Sequence, residues 1–165
     1  MRRWSIGVIL ALGLGAQTGP FPESRDVGST GLAGRAVFDA AAGSYRITGA
    51  GANIWGAEDS FHFAWKRVAG DAVITAEVQW PDTEGHAHKK AGPMLRASLD
   101  PDSPHASVMV HADGLIALQF RRTKGGTTEE IRSPLKAPAR VRLARHGQVV
   151  SFEVARAGGP FQPGG

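Results

Sequence analysis

The side chains here that could do chemistry are carboxylates, histidines and tryptophans, and their spacing decides what they could do together. Glycoside hydrolysis needs two carboxyl groups facing one sugar, roughly 5 to 10 Å apart. The available pairs are Glu58-Asp59, Asp100-x-Asp102 and Glu129-Glu130. The first two adjoin turn residues, and the third would point its members to opposite faces of a strand, where they cannot share a substrate. His86 and His88, with Asp82 and Glu84, could approach a divalent ion from one polar loop, and Asp100 with Asp102 could ligate calcium. Both stretches are also ordinary solvated turns, so neither a metal nor a cofactor is expected. No Gly-x-Ser-x-Gly elbow singles out a nucleophilic serine, and His105 and His111 receive no role. Cysteine is absent, which excludes thiol catalysis, disulfides, a Cys-based zinc site and a lipid-carrying cysteine.

Recognition of a sugar asks for less. An aromatic ring stacks on the apolar face of a pyranose while nearby polar groups hydrogen-bond its hydroxyls. Trp55, which follows Asn53, offers such a platform beside Asp59 and His62. The alternative for Trp55, Trp65 and Trp80 is packing in the core or at its rim.

Strands must position these groups. Phe61, Phe63 and Trp65 alternate with His62, Ala64 and Lys66, the period of two that buries one face of a strand and wets the other. Ile74, Ala76, Val78 and Trp80 alternate with Thr75, Glu77 and Gln79 after the turn Ala69-Gly70-Asp71, so the two runs are expected to pair as an antiparallel hairpin. Earlier strands are expected at Arg35 to Asp39 and around Tyr45 and Ile47. Later ones are expected at Ala91 to Ser98, Ala106 to Ala112, Leu115 to Arg122, Thr127 to Arg132, Ala139 to Arg145 and Gln148 to Ala155. Turn residues separate them and no stretch keeps a helical period, which predicts an all-β sandwich or barrel. The cluster Gly49-Ala50-Gly51-Ala52-Asn53 lacks a Walker lysine and the G-x-G-x-x-G spacing, so it reads as a turn rather than a phosphate cradle.

Composition sets the remaining bounds. A chain of 165 residues with 42% hydrophobic and 21% charged residues suits one domain. The formal net charge of +4 comes from scattered basic residues with no nucleic-acid motif, so no nucleic-acid partner is expected. Arg2 and Arg3 precede the apolar run Ile6 to Leu14 and small residues through Ala16, the pattern of a secretory signal. That run is shorter than the ~20 residues of a membrane span, so export to the periplasm or the extracellular space is expected, without a span after cleavage. Gln17 to Gly34 is rich in Gly, Pro, Ser and Thr without periodicity, as in a linker or flexible arm.

Gly43-Ser44-Tyr45-Arg46-Ile47-Thr48-Gly49-Ala50-Gly51, Asn53-Ile54-Trp55-Gly56, Asp59-Ser60-Phe61-His62-Phe63, Gly70-Asp71 and Ala91-Gly92-Pro93-Met94-Leu95-Arg96-Ala97-Ser98-Leu99 form an ordered motif series. It resembles a bacterial and fungal domain family of unknown function that includes the regulation-of-enolase protein, within the concanavalin A-like lectin/glucanase superfamily. The resemblance runs from about Gly34 to Phe161. It implies a two-sheet antiparallel jelly-roll sandwich with a concave face, and implies no activity. The Glu-x-Asp-x-x-Glu strand that glucanases of the superfamily carry has no counterpart here. The family pattern continues beyond the strand ending at Ala155 with a further turn, a Trp and a closing strand, whereas this chain reads Arg156-Ala157-Gly158-Gly159-Pro160-Phe161. The last strand is therefore expected to be missing, either because the chain is part of a longer protein with an additional domain or because the sheet edge is covered another way.

On the implied concave sheet His62, Lys66, Glu77, Gln79, Arg96, His111, Gln119 and Arg121 would point together. Arg96, between Leu95 and Ala97, is the strongest single candidate, with a salt bridge to Glu77 or Asp59 as its structural alternative. The expectation is a signal peptide at 1–16, an arm at 17–34 and a sandwich at 35–165 that binds a glycan without catalysis. Its ligand-binding residues would be Trp55, Asp59, His62, Glu77, Arg96 and Gln119. The alternatives are a glycan-active enzyme using a pair such as Asp59 with Glu77, and a structural or protein-interaction domain.

Overall fold

The computed structural model describes residues 19–81 and 86–165. The expected signal peptide at 1–16 lies outside the described residues, as do Asp82 and Glu84. Among the described residues the chain is all-β, without a helix. In order, its strands are β1 (Glu23–Val27), β2 (Arg35–Asp39), β3 (Ser44–Thr48), β4 (Ile54–Trp55), β5 (Glu58–Asp59), β6 (Phe61–Trp65), β7 (Ala72–Glu77) and β8 (Lys90–Ala91). There follow β9 (Met94–Arg96), β10 (His105–His111), β11 (Ile116–Arg121), β12 (Glu129–Arg132), β13 (Arg140–His146), β14 (Val149–Ala155) and β15 (Gln162–Pro163).

Two antiparallel sheets carry the core. One has the order β12-β11-β10, with β8 and β9 end to end along the other edge of β10. The other has the order β15-β14-β13-β7. The alternation of each strand sends Val108, Val110, Ile116 and Leu118 from the first sheet against Val141, Leu143, Phe152 and Val154 from the second, and all eight are buried. Burying a side chain of this size stabilises by about 1.5–3 kcal/mol, so this layer is the main source of stability.

The five-stranded sheet is covered on its second face as well. Met109, which alternates with Val108 and Val110, packs with Ile54, Met94, Phe61 and Phe63. The small pairs β4–β5 and β1–β6 thus form a partial third layer, which is why β10 reads as an almost continuous buried run.

Four expectations need correction. β6 and β7 do not pair with each other: β6 pairs with β1, Val27 opposite Phe61 and Glu23 opposite Trp65, while β7 pairs with β13. Alternation reports which face of a strand is buried, not which strand lies beside it, and the six residues from Lys66 to Asp71 are enough to change sheets. The arm at 17–34 contains β1, whose Val27 is 1% exposed, and the Tyr45 hydroxyl accepts from the Phe21 N–H at 2.8 Å. One apolar residue at the end of Glu-Ser-Arg-Asp-Val left no periodic signal.

The run Ala91 to Ser98 is two strands, because Pro93 has no N–H to give the ladder and a Cβ on Gly92 would lie 1.9 Å from the Val108 carbonyl oxygen. Last, the edge of β14 is not bare. β15 pairs Gln162 with Val154 and Pro163 with Glu153, and the Gly164 N–H donates to Phe152 O at 3.0 Å. Arg142 lies 3.7 Å over the Phe161 ring and holds this terminal segment down.

Candidate functional site

The hairpin β4–β5 is a two-residue turn, Gly56-Ala57, between Trp55 and Glu58. Gly56 takes φ +69°, a conformation that costs glycine nothing and that hairpins with glycine at the first turn position require. The register places Ile54 opposite Asp59 and Trp55 opposite Glu58. Directly opposed residues share a face, so Ile54 and Asp59 turn inward, 6% and 2% exposed, while Trp55 and Glu58 turn out. Trp55 remains 43% exposed.

An open cleft of about 320 Å³ lies against this hairpin, lined by Trp55, Asn53, Glu58, Asp59, Ser60 and Ser29, with Gly28, Ala52 and Pro101 completing the wall. The Asn53 side-chain oxygen accepts from the Ile54 N–H at 2.8 Å, and its NH₂ group has no hydrogen-bond partner among the described residues. Ser60 Oγ donates to Ser29 O at 2.6 Å and ties the two rims together.

The inward face fixes the hairpin. Arg121, 1% exposed, donates through Nη2 to Asp59 Oδ1 at 2.6 Å and through Nη1 to Oδ2 at 3.1 Å. Its remaining N–H groups reach the carbonyls of Gly126 at 2.9 Å, Ser103 at 3.0 Å and Gly56 at 3.1 Å. Arg96 Nη1 donates to Asp59 Oδ2 at 3.1 Å and its Nε to Ser98 O at 2.6 Å. A backbone bond from the Asp59 N–H to Pro101 O at 2.9 Å completes the attachment.

His105 Nε2 stands 3.8 Å from Asp59 Oδ1, and neither of its ring nitrogens has a hydrogen-bond partner among the described residues. Burial lowers the His105 imidazole to about 4, outweighing the opposite pull of Asp59, so it is neutral at neutral pH.

Lys90 Nζ lies over the Trp55 ring, 5.9 Å from its centroid, and donates to Ile54 O and Gln119 Oε1, both at 2.9 Å. Gln119 Nε2 donates in turn to Glu130 Oε2 at 2.8 Å. Burial lowers the Lys90 ammonium to about 8, against the raising influence of Glu130 and Asp59.

Of the six expected binding residues, the structure brings only Trp55 and Asp59 to one cleft, and Asp59 has both oxygens engaged from behind. His62 was expected to face solvent. Instead its side chain is 4% exposed, its Nδ1 meets Asp26 Oδ1 at 2.7 Å, and a Cβ on Gly34 would come within 2.3 Å of the ring. Arg96 makes the structural bridge to Asp59, and Gln119 is 2% exposed within its network. Glu77 belongs to the other sheet, opposite Arg140, so it converges with none of the others and cannot pair with Asp59 for hydrolysis.

Elsewhere, Lys124 Nζ sits 3.0 Å from Asp100 and 3.6 Å from Asp102. His88 donates its N–H to His86 Nδ1 at 3.1 Å and lies 3.4 Å from Asp113. Among the described residues no group of three or more His, Asp or Glu could hold a metal ion. Lys90 and the Asn53 amide escaped the sequence reasoning. Trp-Gly-Ala-Glu, a two-residue turn with Gly first, is the signal that could have placed Trp55 and Glu58 on one face.

Compared with known proteins, the chain matches no family model, no curated protein and no solved structure.

Proposed function

We propose that this chain is an exported, non-catalytic carbohydrate-binding module with a concanavalin A-like jelly-roll sandwich, and that its ligand occupies the cleft beside Trp55. The observation that carries this reading is a large aromatic ring left 43% exposed at the mouth of a cleft that also presents the Asn53 amide and the Glu58 carboxylate. A pyranose has one apolar face and a ring of hydroxyls, so it needs this pairing of a flat apolar surface with directional donors and acceptors. The hairpin that carries both Trp55 and Glu58 is held by Asp59, Arg121 and Arg96, so little conformational entropy would be lost on binding. The resemblance to the domain family of unknown function supports the fold and leaves the ligand open.

A glycan-array screen of the purified chain, beside Trp55→Ala and Asn53→Ala, tests the proposal. Binding to one glycan class, abolished in Trp55→Ala and weakened in Asn53→Ala with unchanged melting, is the expected result. Silence from a well-folded chain overturns it and moves the protein-interaction alternative to the front.

A further inference from the structure

The charges around the cleft narrow the class of sugar. Among the residues that line it, only Glu58 and Asp59 carry charge. Asp59 accepts from both Arg121 and Arg96. Glu58 has neither an ion pair nor a side-chain hydrogen bond among the described residues, and it shares the outer face of the hairpin with the Trp55 ring. No lysine, arginine or histidine lines the cleft, and the nearby Lys90 is directed to Ile54 O and Gln119 Oε1. A uronic or sialic acid would therefore bring its carboxylate toward Glu58 with no cation among the lining residues to receive it, the Lys90 ammonium near Trp55 being already engaged by Ile54 O and Gln119 Oε1. A protonated amine would meet an acceptor of full negative charge beside an aromatic face, the two groups that recognise ammonium best.

We propose that the cleft selects glycans bearing a free amine, such as β-1,4-linked glucosamine, with Trp55 stacking on the ring and Glu58 receiving the ammonium at C2. The inference rests on the carbohydrate reading of the cleft and adds to it the identity of the sugar class. Long-range electrostatics cannot mimic the effect, because the chain has a formal net charge of +4 and repels a polycation. Any preference for the amine has to arise locally.

Three probes share a β-1,4 backbone and differ only at C2: glucosamine, N-acetylglucosamine and glucose oligomers. Calorimetric titration of each into the purified chain at low salt should rank the amine oligomer about tenfold above the other two, the scale of one charge-assisted hydrogen bond in a partly open cleft. Glu58→Gln should erase that preference while leaving the weaker binding of the neutral oligomers. Glu129→Gln, which removes an exposed carboxylate already paired with Arg122 at 3.0 Å, should leave it intact. Salt at 0.5 M should shrink the preference.

Neutral oligomers that bind as tightly as the amine, with no change in Glu58→Gln, would overturn the charge inference and leave the carbohydrate proposal standing. Binding of none of the three by folded protein would also overturn it; an array silent across every glycan would remove the carbohydrate proposal too.

Discussion

Glu58 and Asp59 are adjacent carboxylates on opposite faces of one hairpin, and neutralising each in turn should have very different consequences. Asp59→Asn keeps the shape of the side chain but removes the counter-charge of two guanidinium groups. The Arg121 side chain is 0% exposed and that of Arg96 is 3% exposed, so neither can recover its solvation. Breaking a buried pair by removing one partner costs about 3–5 kcal/mol, because a charge is left buried without compensation. For a chain of 165 residues each kcal/mol shifts the melting temperature by about 2–4 °C, so Asp59→Asn should melt roughly 6–20 °C lower. Glu58→Gln alters an exposed group without a partner among the described residues and should stay within about 0.5 kcal/mol of the parent. Urea unfolding followed by circular dichroism, with calorimetric melting in parallel, measures both. Equal stabilities for the two variants, or a loss below about 1 kcal/mol for Asp59→Asn, would refute the assignment of Asp59 as the anchor of the hairpin.

Other consequences concern titration and packing. His105 is held at about 4 against an ordinary 6.5, so between those values the unfolded chain binds a proton that the folded chain refuses, and stability falls as pH falls through that window. In His105→Leu, urea midpoints at pH 6.5, 5.5 and 4.5 should decline less steeply than in the parent; parallel declines would contradict this. Lys90 is held at about 8 against 10.5, so its share of stability rises with pH between those values, the unfolded chain being the one that keeps the proton. NMR titration of the lysine side chains should show Lys90 deprotonating near 8, and lower still in Glu130→Gln, since Glu130 raises it; a midpoint above 10 would count against the burial of this ammonium. Gly92→Ala, whose Cβ would meet the Val108 carbonyl, should lose about 1–3 kcal/mol in the same unfolding assay, and an unchanged midpoint would contradict the close approach of β8 to β10.

The longer strands from Arg35 onward, β2, β3, β6, β7 and β10 to β14, were legible from alternating or apolar runs between turn residues, and β13 and β14 lie within a residue of their expected bounds. The two-residue strands β4, β5 and β15 are too short to leave a period. Pairing was not legible for β6 and β7. A hexapeptide with a turn glycine between two alternating runs looks the same whether it closes a hairpin or carries the chain to another sheet. β1 was hidden because only Val27 of its five residues is buried.

At the site, Trp55 and Asp59 could be named from their types and neighbours, but their division of labour could not. A carboxylate that binds ligand and one that anchors a loop differ only in what stands behind them, and Arg121 stands 62 residues away in sequence. His62, Arg96 and Gln119 are turned away from solvent for a related reason. A polar residue alternating with apolar ones signals solvent only when nothing covers that face, and here β1, β4 and the loops around Gly34 and Gly49 cover it. From its spacing alone Glu58 reads only as half of a hydrolytic pair with Asp59.

Titration calorimetry with the leading glycan from the array, on the parent chain and on Trp55→Ala, tests the location of the binding site most directly. Trp55 is exposed and its removal should leave the fold intact, so an affinity loss of at least about tenfold at an unchanged melting temperature is expected, in line with a stacking contact and its buried area. Equal affinity in the two proteins would place the ligand elsewhere and contradict the assignment of this cleft.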